Sequence, residues 1–290
     1  MNVHFLGFGE AAYELAKGLK EEGVTSIRAY DVMIDHETFG QTIKERAEQT
    51  GVSLVKSIKE LIKEVNVLFV AVPASKAVEV NEAVCAEIQN ESFLYVDVSA
   101  SSPAIKQQVQ QNLEQKHIKF VDAAMLGPLP VYQHKVPIAA SGTGTNEFIA
   151  KMSPLHMSIK AVGSKAGDAS AIKLVRSIFM KGLVGLYLET LEAAEAYHIS
   201  DEVISSLEET MNRQPFVDTL NRLVTGSAVH AERRAFELNS SIAMLQEAGI
   251  NSDLSHASKE RLVELAGIVK NHPEKESFAN WKEVLELYSI

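Results

Sequence analysis

The turn Gly7-Phe8-Gly9-Glu10-Ala11-Ala12 follows the apolar run Val3–Leu6 and opens Glu10–Glu22, a stretch rich in alanine, leucine and lysine that Gly23 is placed to end. A G-x-G-x-x-A pattern has mechanical meaning only in this strand–turn–helix context. Gly7 permits the tight turn, Gly9 lets the backbone approach a pyrophosphate, and Ala12 allows close packing of helix on strand. The helix start that includes Phe8, Glu10 and Ala11 offers unpaired N–H groups and positive partial charge. Asp31 falls at the end of the second strand-like run, near the roughly 20-residue spacing of an acid that bonds the ribose hydroxyls. The expectation is a Rossmann-type α/β domain that holds a dinucleotide. The alternative is a doubly wound domain whose glycines merely turn the chain.

The pattern continues as that fold requires. Short apolar runs read as strands at Val3–Leu6, Ser26–Tyr30, Val67–Val72, Phe93–Val98 and Lys119–Ala123, with a weaker one at Ser53–Val55. They are nearly continuous because strands covered on both faces lose polar alternation. Helical spacing fills the gaps at Ile43–Gln49, Ile58–Lys63, Lys76–Glu87 and Ile105–Gln115. Gly127-Pro128-Leu129-Pro130 is expected to stop regular structure, and after Gly163 strands cease. Asp168–His198 reads as one long interdomain helix, followed by helices at Asp201–Thr210, Pro215–Leu223, Ala231–Ala248, Leu254–Asn271 and Phe278–Tyr288, the last capped by Ser277. The expected division is 1–165 for the nucleotide domain and 166–290 for an all-helical substrate and dimerisation domain.

Composition narrows the partners. The 28 basic residues against 38 acidic ones give a net charge of −10, with no Lys/Arg stripe, so nucleic acid is not expected. The single cysteine, Cys85, supports neither an internal disulfide nor a thiolate metal site. Scattered histidines show no H-x-x-x-H spacing, so no catalytic metal is expected. The amino terminus enters a strand without a charged leader, and the most apolar segment, 65–74, is too short to cross a bilayer. A cytoplasmic protein without membrane attachment is the expectation.

For the cofactor, Asp31 would repel a 2′-phosphate and no basic residue occurs from Val32 to Gln41 to receive one, which favours NAD. Arg28 keeps NADP open. Val72-Pro73 after the fourth main run and Ser99 in Asp97-Val98-Ser99-Ala100-Ser101-Ser102-Pro103 stand where open α/β sheets receive ligands. They read equally well as strand-to-helix turns.

Taken together, Gly7-Phe8-Gly9, Asp97-Val98-Ser99 with Pro103, Asp122-Ala123-Ala124-Met125-Leu126-Gly127 and Gly167-Asp168-Ala169-Ser170-Ala171-Ile172-Lys173 resemble the β-hydroxyacid dehydrogenase family. This family contains 3-hydroxyisobutyrate and 6-phosphogluconate dehydrogenases. The tail from His230 to Leu238 looks like a branch with its own small helical domain. The resemblance implies NAD(P)-dependent hydride transfer to or from a small hydroxy acid. It places the catalytic lysine at Lys173, substrate contacts at Ser99, Met125, Leu126 and Gly127, and a homodimer paired through the C-terminal helices.

Three departures bear on that chemistry. Leu126-Gly127-Pro128 replaces the Ser-Gly-Gly that holds a substrate carboxylate in the family. Ser177 replaces an asparagine one helical turn after the lysine, and Met180 replaces the glutamate of members that decarboxylate 6-phosphogluconate. Oxidising a hydroxyl requires a base, and a lysine serves when its pKa falls from about 10.4 towards 7–8, as burial beside a cationic ring would cause. Lys173, Ser177 and Lys181 recur at i, i+4 and i+8, a face suited to an acidic or polyhydroxylated small molecule. His230 and Arg234, also four apart, are candidate substrate contacts, Arg234 through a two-pronged carboxylate bond. An imine reductase is the near alternative, and a nicotinamide-binding sensor without turnover the alternative of another class.

Overall fold

The computed structural model describes residues 1–288, and chain contacts divide it into two compact units, Met1–Ile178 and Phe179–Ile290. In the first, β1 (Asn2–Leu6), β2 (Ser26–Tyr30), β3 (Ser53–Leu54), β4 (Val67–Val70), β5 (Leu94–Asp97), β6 (Lys119–Met125), β7 (Ile138–Ser141) and β8 (Ile159–Ala161) form one sheet. The strand order is 3-2-1-4-5-6-7-8. β3 to β6 pair in parallel, β7 runs antiparallel to β6, and β8 is parallel to β7.

Between the strands lie α1 (Glu10–Glu21), α2 (Phe39–Thr50), α3 (Ile58–Leu61), α4 (Ala77–Glu87), α5 (Pro103–Glu114), α6 (Leu129–Tyr132) and α7 (Thr145–Met152). The pleat sorts β1 and β4 by parity. Val3, Phe5, Val67 and Phe69 enter one core, while Leu6, Leu68 and Val70 enter another. Phe5 stacks on Phe69 with ring centroids 5.3 Å apart. All four residues of β4 and of β5 are buried, which is why both read as continuous apolar runs.

Several boundaries differ from the sequence reading. Ser102 accepts a hydrogen bond from the Ile105 N–H and Pro103 takes the first turn, so α5 starts two residues earlier than apolar spacing suggested. Segment 127–130 does not stop regular structure: a single helical turn, α6, begins at Leu129 with a proline in its first turn. α7 and β8 were not foreseen, being too short for periodicity to register.

α8 (Asp168–Ala196) is one helix of 29 residues. The second unit continues with α9 (Ser200–Asn212), α10 (Phe216–Val229), α11 (Ala231–Glu247), α12 (Asp253–Lys270) and α13 (Trp281–Glu286). Ala228, Ala231, Leu265, Phe278 and Val284 make its core. The Glu189 carboxylate accepts from the Leu254 and Ser255 N–H groups and the Ser255 hydroxyl, capping α12 from another helix. Ser277 is not the cap of the last helix. Asn280 fills that place, accepting from the Lys282 N–H at 2.9 Å, and α13 is correspondingly shorter than expected. Among the described residues no helix is long and apolar enough to cross a membrane.

Candidate active site at the carboxyl edge of the sheet

Strand order reverses between β1 and β4, and at such a switch point the loops leaving the carboxyl ends diverge into a crevice. Gly7 to Ala12 leave β1 there, Asp31 leaves β2, Val72 and Pro73 leave β4, Ser99 leaves β5, and Met125 to Gly127 leave or end β6. The sequence-selected residues between Gly7 and Gly127 therefore leave one edge of one sheet.

The glycine turn is held from both sides. Gly7 has φ +85°, and a Cβ there would lie 2.5 Å from the Ala71 carbonyl oxygen, so the turn crosses β4 where only glycine fits. Phe8 buries its ring in the core against Phe5 and offers a ligand only its backbone. Its N–H donates to Asp31 Oδ2 at 2.7 Å, while Asp31 Oδ1 accepts from the Met33 N–H at 2.8 Å. The aspartate thus fastens the turn to the end of β2.

Gly9 differs: a Cβ there would meet no atom within 4 Å, so nothing in the protein requires glycine at this position. No side chain caps α1, whose first N–H groups open beside that space. A helix start without a cap, in front of a residue small enough to admit close approach, fits a pyrophosphate. Arg28 pairs with Glu64 at 3.7 Å. Because Glu64 precedes β4, that guanidinium is drawn towards the amino edge of the sheet, away from the ribose position.

Beside the β5 and β6 ends lies a buried polar network. Lys106, on α5, is fully buried. Its Nζ stands 3.0 Å from Asp97 Oδ2 and 3.6 Å from Asp122 Oδ1, and it donates to the Asp97 and Ser99 carbonyl oxygens and to Ser99 Oγ. The Ser99 hydroxyl also meets Ser101 Oγ at 2.7 Å. Asp122 Oδ2 accepts from the N–H groups of Gly167 and Ser170, and Asp122 Oδ1 from the Ser170 hydroxyl at 2.6 Å. Ser141 Oγ accepts from the Ala169 N–H at 3.1 Å. The first turn of α8 is therefore capped by side chains of β6 and β7, and the capping carboxylate faces the positive end of the helix.

Lys173 follows one turn later, half-buried, and among the described residues it has neither an ion pair nor a hydrogen bond. Burial, then the Lys106 charge, pushes its pKa below the ordinary lysine value, against the opposing pull of Asp122 and Asp97. Ser177, one turn on, is half-buried. Leu126 has both backbone groups engaged: its N–H donates to Pro137 O at 2.8 Å, and its carbonyl accepts from Arg176 Nη1 at 3.2 Å.

Neither Lys106 nor Arg176 was singled out in the sequence. Lys106 carried a signal, since it shares the buried face of α5 with Val109 and Leu113 at i, i+3 and i+7. Lys181, His230 and Arg234 belong to the second unit. Lys181 and His230 are exposed, and Arg234 is half-buried with Nη1 on Ser227 Oγ at 2.7 Å.

With this geometry, the first unit is a doubly wound domain with a crevice at its switch point. Residues 2–159 match the family described as the NAD binding domain of 6-phosphogluconate dehydrogenase, and the chain belongs to that family. It is an NAD(P)-dependent oxidoreductase of the dehydrogenase and reductase type. Residues 194–265 match a domain of unknown function, DUF1932.

An uncharacterized 28.5 kDa protein from Methanothermus fervidus is 29% identical over 238 residues, 82% of this chain and 88% of the relative. Among solved structures, the conserved protein MTH1747, described as structurally similar to 3-hydroxyacid dehydrogenases, is 28% identical with a TM-score of 0.58, covering 91% of this chain and 96% of that one. An imine reductase from Myxococcus stipitatus in complex with NADP+ shares the fold at 19% identity and a TM-score of 0.76, covering 98% of this chain and 100% of that one.

Proposed function

We propose that the protein transfers hydride between NAD and the hydroxyl-bearing carbon of a small hydroxy acid, with Lys173 exchanging the hydroxyl proton. The observation that carries this reading is Lys173 itself, half-buried and without a hydrogen bond or ion pair among the described residues, one turn after the Ser170 that Asp122 of β6 holds. In the oxidation direction the neutral amine takes the hydroxyl proton, and in reduction the ammonium returns it to the carbonyl oxygen. The bound nicotinamide supplies or accepts the hydride. Ser177 Oγ, one turn beyond, is assigned a hydrogen bond to the same substrate oxygen.

The turn Gly7 to Ala12, with Val72, Pro73 and Ser99, cradles the dinucleotide, and Asp31 selects NAD over NADP by its charge. Met125, Leu126 and Gly127 line the substrate side. Arg176 supports an acidic substrate in place of the missing Ser-Gly-Gly: it uses one donor on the Leu126 carbonyl and has no acidic partner among the described residues. Residues 1–165 serve as the nucleotide domain and 166–290 as the substrate and dimerisation domain. The working form is a cytoplasmic homodimer.

The test is a panel of small hydroxy acids and cyclic imines offered with NAD(H) and NADP(H). The wild type is expected to turn over an acid with NAD, and Lys173→Ala to lose about 10²- to 10⁴-fold in kcat with unchanged NAD affinity. Exclusive turnover of imines transfers the assignment to an imine reductase, and no turnover of either class favours a sensor. Preference for NADPH contradicts the role given to Asp31.

A further inference from the structure

We propose that the buried Lys106–Asp97–Asp122 triad is a positioning device for Lys173, holding the amino end of α8 so that the lysine presents its amine at the β5–β6 edge. The proposal rests on the proton-transfer role given to Lys173, and what it adds is the set of residues that act through that lysine.

Three charges with at most 1% side-chain exposure are costly to bury, and apolar residues of similar volume often serve stability as well or better. The geometry supplies another use for them. Asp122 joins β6 to α8 by accepting from two backbone N–H groups and from the Ser170 hydroxyl. Lys106 supplies the counter-charge, placed between Asp97 and Asp122 by the packing of α5 on the sheet.

A second contact locks the same turn. Gly167 has φ +99°, and a Cβ there would lie 2.8 Å from the Pro103 Cα, so the turn leading into α8 sits directly on the start of α5, the helix that carries Lys106. Ser170 and Lys173 are i and i+3 neighbours, so the hydroxyl clamped by Asp122 and the free amine rise from the same face of α8. The charged groups that act on Lys173 are the triad itself, Lys106 repelling its proton and Asp122 and Asp97 attracting it. Without Lys106, the aspartates hold the Lys173 proton more tightly, and a loosened first turn lets the amine reach water. Both changes lower the fraction of neutral amine.

The experiment is acetylation of the full chain by trace acetic anhydride, without nucleotide or substrate, reading Lys173 against Lys181 by peptide mass spectrometry. In Lys106→Met, Lys173 labelling at pH 8 is expected to fall on the order of tenfold, with Lys181 labelling unchanged. A folded Lys106→Met protein whose Lys173 labels like the wild type overturns the proposal.

Ser170→Ala keeps a helix-forming residue and removes one link to Asp122, so it carries the test if the methionine variant fails to fold. A fall of about threefold supports the proposal, and no change overturns it. Because labelling requires no turnover, it separates the two readings. Undiminished activity in Lys173→Ala sinks the catalytic assignment, whereas an inactive Lys173→Ala beside unchanged labelling in the triad variants sinks only the positioning.

Discussion

Gly7 and Gly9 stand two residues apart in one motif, yet they are glycine for different reasons, and substitution separates them. Gly7→Ala forces a Cβ into the Ala71 carbonyl at a positive φ and is expected to destabilise the fold by about 1–3 kcal/mol. Gly9→Ala meets empty space, so its Tm is expected to stay close to wild type, while NAD affinity measured by calorimetry falls at least tenfold because the methyl group occupies the pyrophosphate's approach. A variant that binds NAD normally would remove the glycine turn from the nucleotide site. Arg176 offers a second residue-level test: Arg176→Gln should raise KM for an acid about tenfold or more with little change in kcat, since a charge-assisted bond contributes roughly 1.5–3 kcal/mol. These glycines were readable from sequence because a turn's demands are local. Arg176 was not, because its interest lies in a carbonyl 50 positions away.

Helices show where local rules end. α1 and α8 follow their sequence spacing closely, whereas the cap of α8 comes from Asp122 and Ser141 and the cap of α12 from Glu189, none of them near in sequence. The carboxyl end of α1 is tied in a similar way. Glu22 receives His156 Nδ1 at 2.7 Å, Lys135 Nζ at 3.1 Å and His134 Nε2 at 3.2 Å. The bond from His156, then that from Lys135, holds the Glu22 carboxyl at about 2, below its ordinary 4.5. The unfolded chain binds this proton more readily, so the stabilisation is complete above the ordinary value and is lost as pH falls from about 4.5 to about 2. In urea titrations, the stability difference between wild type and Glu22→Gln should accordingly shrink between about pH 5 and about pH 2. A difference independent of pH would mean that Glu22 contributes packing rather than charge.

On the scale of the molecule, the second unit leaves much apolar surface uncovered, with Val184 56%, Leu188 57%, Phe216 60% and Phe236 75% exposed. These side chains are the surface through which the proposed dimer would pair. Sedimentation is expected to give twice the 31.8 kDa chain mass, and Leu188→Glu to shift the protein towards monomer. A monomeric wild type would refute the pairing. By itself, the order of residues determined the alternation of strand and helix, the nucleotide turn with Asp31 and the all-helical second half, because periodicity, glycine geometry and helix propensity act over a few positions. Tertiary structure alone decided that Lys106 would be buried between two aspartates, that Asp122 would cap the helix bearing Lys173, and that Arg28 would turn to Glu64. Burial and charge pairing join residues that are distant along the chain, and a buried charge is settled by whichever partners the fold brings within reach.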